Sequence, residues 1–176
     1  MTKKIYLDYC ATTPVHPSVK NAMMAALDAE FGNPSSLHWA GVDAANLIKQ
    51  ARRDIAFNLS CSADEIYFTS GATEADTLAL FGTLHQFSPN KAHLVISAIE
   101  HHAILHAAQK LEHEGYAVTY LPVDAQGLVS PDEVRRAIQE DTKLISIMLV
   151  NNEVGSIQPI AEISRIAHEC FVTLHT

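Results

Sequence analysis

Residues 93–123 read HLVISAIEHHAILHAAQKLEHEGYAVTYLPV, and their pattern decides the fold. The apolar run HLVISAI predicts a buried strand. After it, Ile104, Ala107, Ala108 and Leu111 recur at the spacing of one helical face, and AVTYLPV predicts a second strand. A strand, a helix and a strand in so short a span form a crossover unit whose strands run parallel. The same grammar extends outward. Upstream, EIYFTS (65–70) predicts a strand leading into a helix that carries Leu78, Phe81 and Leu84. Downstream, SPDEVRRAIQED (130–141) opens a helix with Ser130 as N-cap, Pro131 at the first helical position and Glu133 at the capping-box position. KLISIMLV (143–150) is the most apolar stretch and suits the centre of a sheet covered on both faces. A helix over about residues 159–170 and a strand in FVTLHT (171–176) follow. Near the start, Val19, Ala22, Met23, Ala26 and Leu27 mark one helix and Ile48, Ala51, Ile55 and Leu59 another, joined through the turn-forming loop FGNPSSLH (31–38). The alternation predicts an α/β fold with a mostly parallel sheet and helices on both faces. FVTLHT stops within a strand pattern, which reads as a truncated chain.

The 176 residues are 48% hydrophobic, enough for a core, and carry a formal net charge of -8. That charge argues against a nucleic-acid or anionic-membrane surface. The opening MTKKIYLDYC has no long apolar region, so no signal peptide is expected, and no run approaches membrane-spanning length. Cys10, Cys61 and Cys170 are scattered, as expected of reduced thiols in a cytoplasmic protein, and none has zinc-site spacing. Ten histidines keep a metal site open as a minor reading.

Ligands of parallel sheets gather at the carboxyl ends of the strands. Three such ends carry polar groups. Ser70, Gly71, Ala72 and Thr73 sit where free N–H groups and a helix dipole suit a phosphate; an ordinary N-cap on Ser70 or Thr73 is the alternative. Glu100, His101 and His102 follow a buried strand. In an extended segment the two histidines point to opposite sides, so one of them would face a site; a solvated loop is the other reading. Asn151, Asn152 and Glu153 leave the most apolar strand, and Gly155 then turns the chain. Asn amides suit a ligand's hydroxyl or carboxylate, and equally suit local turns.

Taken together, YLDYCATTPVHPSV, FGNPSSLH, FTSGATEADTLAL, EHHAIL and VNNEVGSIQPI closely resemble the cysteine desulfurases of the NifS and IscS type, pyridoxal-phosphate enzymes of the class V aminotransferase group. The match is collinear from about Ile5 to Thr176. The resemblance implies the large domain of a fold type I pyridoxal 5'-phosphate enzyme. Residues 1–15 would line the active-site entrance, residues 16–176 would form an incomplete cofactor-binding domain, and the rest of that domain and a small domain would be absent. It implies that Ala72 and Thr73 hold the cofactor phosphate. His101 would stack on the ring and assist proton transfer, and Asn152 would reach the ring hydroxyl oxygen. Thr12 and Asn33 would lie beside the substrate. It further implies a homodimer that takes sulfur from L-cysteine, releases L-alanine, and passes the sulfur to an iron–sulfur scaffold or another acceptor.

Departures from the family pattern stand beside the match. Cys10 replaces a commoner Ala, Ser or Asn and reads as a small buried residue. Ala75 and Thr77 replace commoner Ser and Asn beyond the phosphate. In relatives the aspartate that pairs with the ring nitrogen, the lysine that anchors the cofactor and the cysteine that receives sulfur all follow the point where this chain stops. Lys3, Lys4, Lys20, Lys49, Lys91, Lys110 and Lys143 match no anchoring position. The isolated chain is therefore expected to be inactive. A short non-catalytic relative, acting as an interaction module or as half of a split enzyme, is the alternative, and a selenocysteine lyase is a weaker one.

Overall fold

A computed structural model describes residues 4–29 and 31–176, which separate into two compact units, Met1–Phe68 and Thr69–Thr176. In the first unit, α1 (Pro17–Ala29) and α2 (Trp39–Leu59) form where the apolar spacing predicts. The loop between them closes on the start of α2. A Cβ at Gly32 would fall 2.0 Å from the Ala40 carbonyl oxygen, so only glycine fits. The apolar residues that mark the two helices stay largely exposed: Val19, Met23, Leu27, Ile48, Ile55 and Leu59 all face water. Residues 4–25 are exposed throughout, including Cys10, against the expectation of burial. The Cys10 thiol lies 3.2 Å from an Asp8 carboxylate oxygen.

The second unit is the sheet. Its strands are β1 (His93–Ser97), β2 (Ala117–Leu121), β3 (Thr142–Ser146) and β4 (Thr173–His175). They are ordered β2-β1-β3-β4 and paired in parallel throughout. Helices α3 (Ala72–Leu84), α4 (His102–His113), α5 (Pro131–Ala137) and α6 (Ile160–Glu169) connect or precede them. Alternate residues of each strand go to opposite faces. Leu94, Ile96 and Leu144 pack with Leu80, Leu84, Ile104 and Leu111 of α3 and α4. Val95, Ile145 and Ile147 pack with Val134, Ile163 and Ile166 of α5 and α6. The result is the expected three-layer α/β arrangement, with β1 and β3 at its centre.

Four local expectations are corrected. EIYFTS is not a strand: it leaves a short 3-10 turn (Ala63–Glu65) and runs on without ladder bonds. Ile66 is buried but Tyr67 and Phe68 are exposed, and a strand exists only where a neighbour supplies its hydrogen bonds. On α3 the buried residues are Leu80 and Leu84, while Leu78 is exposed, because the face toward the sheet runs through positions 76, 80 and 84. Ser130 makes no side-chain cap on α5, and Glu133 pairs instead with Arg136 one turn on. On α3 neither Ser70 nor Thr73 is the cap; the residue before the helix is Gly71, which has no side chain to offer.

Two features generate measurable expectations. Buried His93, the first residue of β1, bridges β3 and β2, with Nδ1 2.8 Å from Thr142 Oγ1 and Nε2 2.8 Å from Thr119 Oγ1. Thr142 Oγ1 also accepts from the Gln139 N–H at 2.7 Å. Burial pushes the imidazole's pKa down, opposed in part by nearby Asp141. The folded chain then binds a proton here less readily than the unfolded chain, so stability is fully present above the ordinary imidazole value of about 6.5 and is lost as pH falls through and below it. Urea denaturation between about pH 7.5 and about pH 5.5 should show that loss, with a smaller slope in His93→Gln. Phe171 closes α6 in the left-handed region at φ 56 with its ring 98% exposed. Glycine meets no Cβ clash there, so Phe171→Gly should raise unfolding stability by about 1 kcal/mol, read by the same denaturation.

Candidate functional site

The carboxyl edge of the sheet collects the polar residues that the cores exclude. Helix α3 begins at this edge, because Asp76 Oδ1 lies 3.8 Å from Nε2 of His175 at the end of β4. The Nδ1 of the same ring is 2.9 Å from Ser146 Oγ at the end of β3. Burial lowers the His175 pKa, and Asp76 works in the opposite sense.

The first turn of α3 is open. Gly71 carries no cap, and the N–H groups of Ala72, Thr73 and Glu74 find no acceptor among the described residues. The Ser70 N–H and hydroxyl both donate to Glu74 Oε2 at 2.6 Å, which holds that carboxyl below the usual carboxylate range. Ser70 is thereby engaged, and the hydroxyl left available at the turn is that of exposed Thr73. A Cβ at Gly71 would meet nothing within 4 Å, and the residue's backbone is extended. Free N–H groups, the positive end of a helix and an adjacent hydroxyl are the donor set a phosphate requires.

His101 is the N-cap of α4. Its Nδ1 accepts from the Ala103 N–H at 3.1 Å, which leaves the ring's hydrogen on Nε2. Because the helix begins at His102, the two histidines do not alternate as in an extended segment, and both line one groove of about 410 Å³ with Thr73, Thr77 and His106. The structure thus unites Thr73 and His101, which lie 28 positions apart in the chain. Among the described residues no group of three or more His, Cys, Asp or Glu side chains could hold a metal ion, and no helix is long and apolar enough to cross a membrane.

The paired asparagines divide the two roles left open by their sequence. Asn151 is buried. Its Nδ2 donates to the Ile99 carbonyl oxygen at 2.9 Å, and its Oδ1 accepts from the Glu153 and Val154 N–H groups, each at 2.9 Å. Gly155, at φ 74, completes the turn. Asn152 is exposed at that turn, with a contact to Glu153 at 3.1 Å, and does not belong to the lining of the 410 Å³ groove that holds Thr73 and His101. Thr12 and Asn33 belong to the first unit. Both are exposed, and the Asn33 side chain accepts from the Ser35 N–H at 2.9 Å.

Sequence reasoning missed Asp76 and His175 and gave Glu100 no specific role. Asp76 had a readable signal, since it stands four and eight positions before Leu80 and Leu84 on the face turned to the sheet. Glu100 had none, because its partners Ser97 and Met148 come from different elements.

Comparison with known proteins places the chain. Residues 5–176 match the model of the class V aminotransferase family, and the chain belongs to that family. Among curated relatives, a cysteine desulfurase IscS of Dictyoglomus turgidum is 46% identical over 176 residues, which is 100% of this chain and 45% of the relative. A cysteine desulfurase IscS of Methanosarcina thermophila is 49% identical over 174 residues, 99% of this chain and 43% of the relative. Of solved structures, SspA in complex with cysteine superposes with a TM-score of 0.93 at 43% identity, over 97% of this chain and 49% of that one. A NifS-like protein superposes at 0.90 with 37% identity, over 94% of this chain and 46% of that one. The similarity is therefore to the NifS and IscS type, and the fold is the large-domain fold of type I pyridoxal-phosphate enzymes. The chain spans less than half the length of these curated relatives.

The division of the asparagines is open to measurement. Asn151→Ala should cost about 1–2 kcal/mol, since it removes the partner of the half-buried Ile99 carbonyl and of two N–H groups, whereas Asn152→Ala should stay within about 0.5 kcal/mol of the parent. Chemical denaturation of both variants checks this.

Proposed function

We propose that this chain is the cofactor-binding portion of a pyridoxal 5'-phosphate-dependent cysteine desulfurase, one that takes sulfur from L-cysteine and yields L-alanine. The observation that carries the reading is the open first turn of α3 beside the groove it shares with His101. Ala72 and Thr73 bind the phosphate through backbone N–H groups and the Thr73 hydroxyl. His101, its Nδ1 committed to its own helix, presents the ring face and Nε2 to the cofactor ring and handles a proton there. Asn152 turns its exposed amide toward the ring oxygen. When bound, the cofactor supplies an electron sink for the substrate's α-carbon. Thr12 and Asn33 contact the substrate, and residues 1–15 border its entrance. Likeness to the cysteine desulfurases supports these roles.

The chain holds a phosphate cup and one side of a ring site. The lysine that anchors the cofactor, the aspartate for its ring nitrogen and the sulfur-accepting cysteine lie, by resemblance, beyond residue 176. The 176-residue chain by itself accordingly turns over no cysteine. Exposed apolar side chains on α1 and α2 favour an assembled state, a homodimer in the working enzyme, located in the cytoplasm and delivering sulfur to an iron–sulfur scaffold or another acceptor protein. The same exposed faces are what half of a split enzyme would present, and a companion chain carrying the lysine would mark that second reading.

Titration of the chain with pyridoxal 5'-phosphate, followed by absorbance, tests the site. Thr73→Val should weaken binding about tenfold or more, through loss of one hydrogen bond to a charged group. Equal affinity in the parent and Thr73→Val would remove the phosphate assignment. Alanine release from L-cysteine by the purified chain would overturn its predicted inactivity.

A further inference from the structure

Beyond the end of the β1–β3 ladder, at Ile96 and Ser146, the two strands lead into separate loops, one carrying His101 and the other Asn152. We propose that Glu100 and Asn151 form a reciprocal latch between these loops, and that Glu100 is thereby a positioning residue for the candidate site. The inference rests on the cofactor reading only in what the latch is for.

Two side chains cross in opposite directions. Glu100, from the first loop, accepts at Oε1 from the Met148 N–H in the second loop at 2.9 Å. The same oxygen accepts from the Ser97 hydroxyl at 2.5 Å, which orients the carboxylate from its own strand. Asn151, from the second loop, donates to the Ile99 carbonyl oxygen in the first at 2.9 Å. Glu100 is 6% exposed and Asn151 5% exposed, so one side chain of each bond is buried while its partner on the other loop is half-buried. Among the described residues these are the side-chain hydrogen bonds that join the two loops.

The anchored positions immediately precede the candidate residues: Glu100 comes before His101, and Asn151 before Asn152. Neither His101 nor Asn152 is held by burial. His101 is tied to its own helix, and the Asn152 side chain donates to its neighbour Glu153, the one side-chain hydrogen bond it makes among the described residues. The separation of the two candidate groups is therefore set by where the latched backbone places them. A buried carboxylate is unfavourable unless its bonds are made, and burial does push the Glu100 pKa up, with Asp76 adding to the effect and the Ser97 and Met148 bonds opposing it. A carboxyl or carboxamide oxygen at this point would serve the latch, whereas an alkyl side chain would not.

Hydrogen exchange of the chain without cofactor tests the latch directly. In Glu100→Ala, amides of residues 98–103 and of residues 148–154 should exchange about tenfold faster or more, together, while β2 and α5 remain unchanged. Glu100→Gln keeps an acceptor for the Met148 N–H and should stay within about twofold of the parent. If Glu100→Ala does not fold, Glu100→Asp, too short to reach both donors, carries the same expectation. Faster exchange confined to the Glu100 loop, or spread evenly over the chain, would overturn the latch. Pyridoxal 5'-phosphate titration then tests positioning: affinity should fall about tenfold in Glu100→Ala and return in Glu100→Gln. Paired loosening with unchanged affinity would overturn the positioning role. A parent chain that binds no cofactor would instead sink the cofactor reading, and the exchange result would still decide the latch.

Discussion

A parallel strand pair whose crossovers lay helices on both faces has no face to give to water, and most of this molecule's second unit follows from that constraint. β1 and β3 are buried along almost their whole length. Side chains of one parity demand α3 and α4, and those of the other demand α5 and α6. Once both faces are closed, the ends of the strands are where polar side chains and irregular backbone can stand. The candidate site sits at the carboxyl end for this reason.

At that end, polar groups are used in two ways. Buried ones tie elements together: Glu100 and Asn151 join the loops after β1 and β3, and His175 links Ser146 to the vicinity of Asp76 on α3. Exposed ones are left with spare capacity: Thr73 with its neighbouring N–H groups, Nε2 of His101, and the amide of Asn152. A ligand site needs the second kind held in register by the first, because free donors on a mobile backbone would lose their geometry. The adjacency of Asn151 to Asn152 and of Glu100 to His101 shows the two uses in consecutive residues.

The first unit follows a different balance. Its loop is closed tightly by Gly32 against Ala40, yet Trp39, Leu47 and Phe57 remain exposed on α2. Local spacing is sufficient to form an amphipathic helix and insufficient to cover it, since cover comes from whatever packs against the apolar stripe.

The amino-acid pattern by itself determined the alternation of helices and strands, the parallel sense of the sheet and the central place of KLISIMLV, because periodicity and run length are local properties that burial on both faces imprints directly. It also carried the family likeness, since the motifs of the site lie in short collinear stretches. What tertiary structure alone decided were matters of partnership. EIYFTS has strand composition but no ladder. Ser130 and Glu133 have capping-box spacing, yet Glu133 turns to Arg136. His101 and His102 share a groove because a helix starts between them and the preceding strand has already ended. Which asparagine of an adjacent pair is structural depended on the carbonyl of Ile99, 52 residues earlier in the chain. A hydrogen bond needs two groups in space, and a sequence written in one dimension states only one of them at a time.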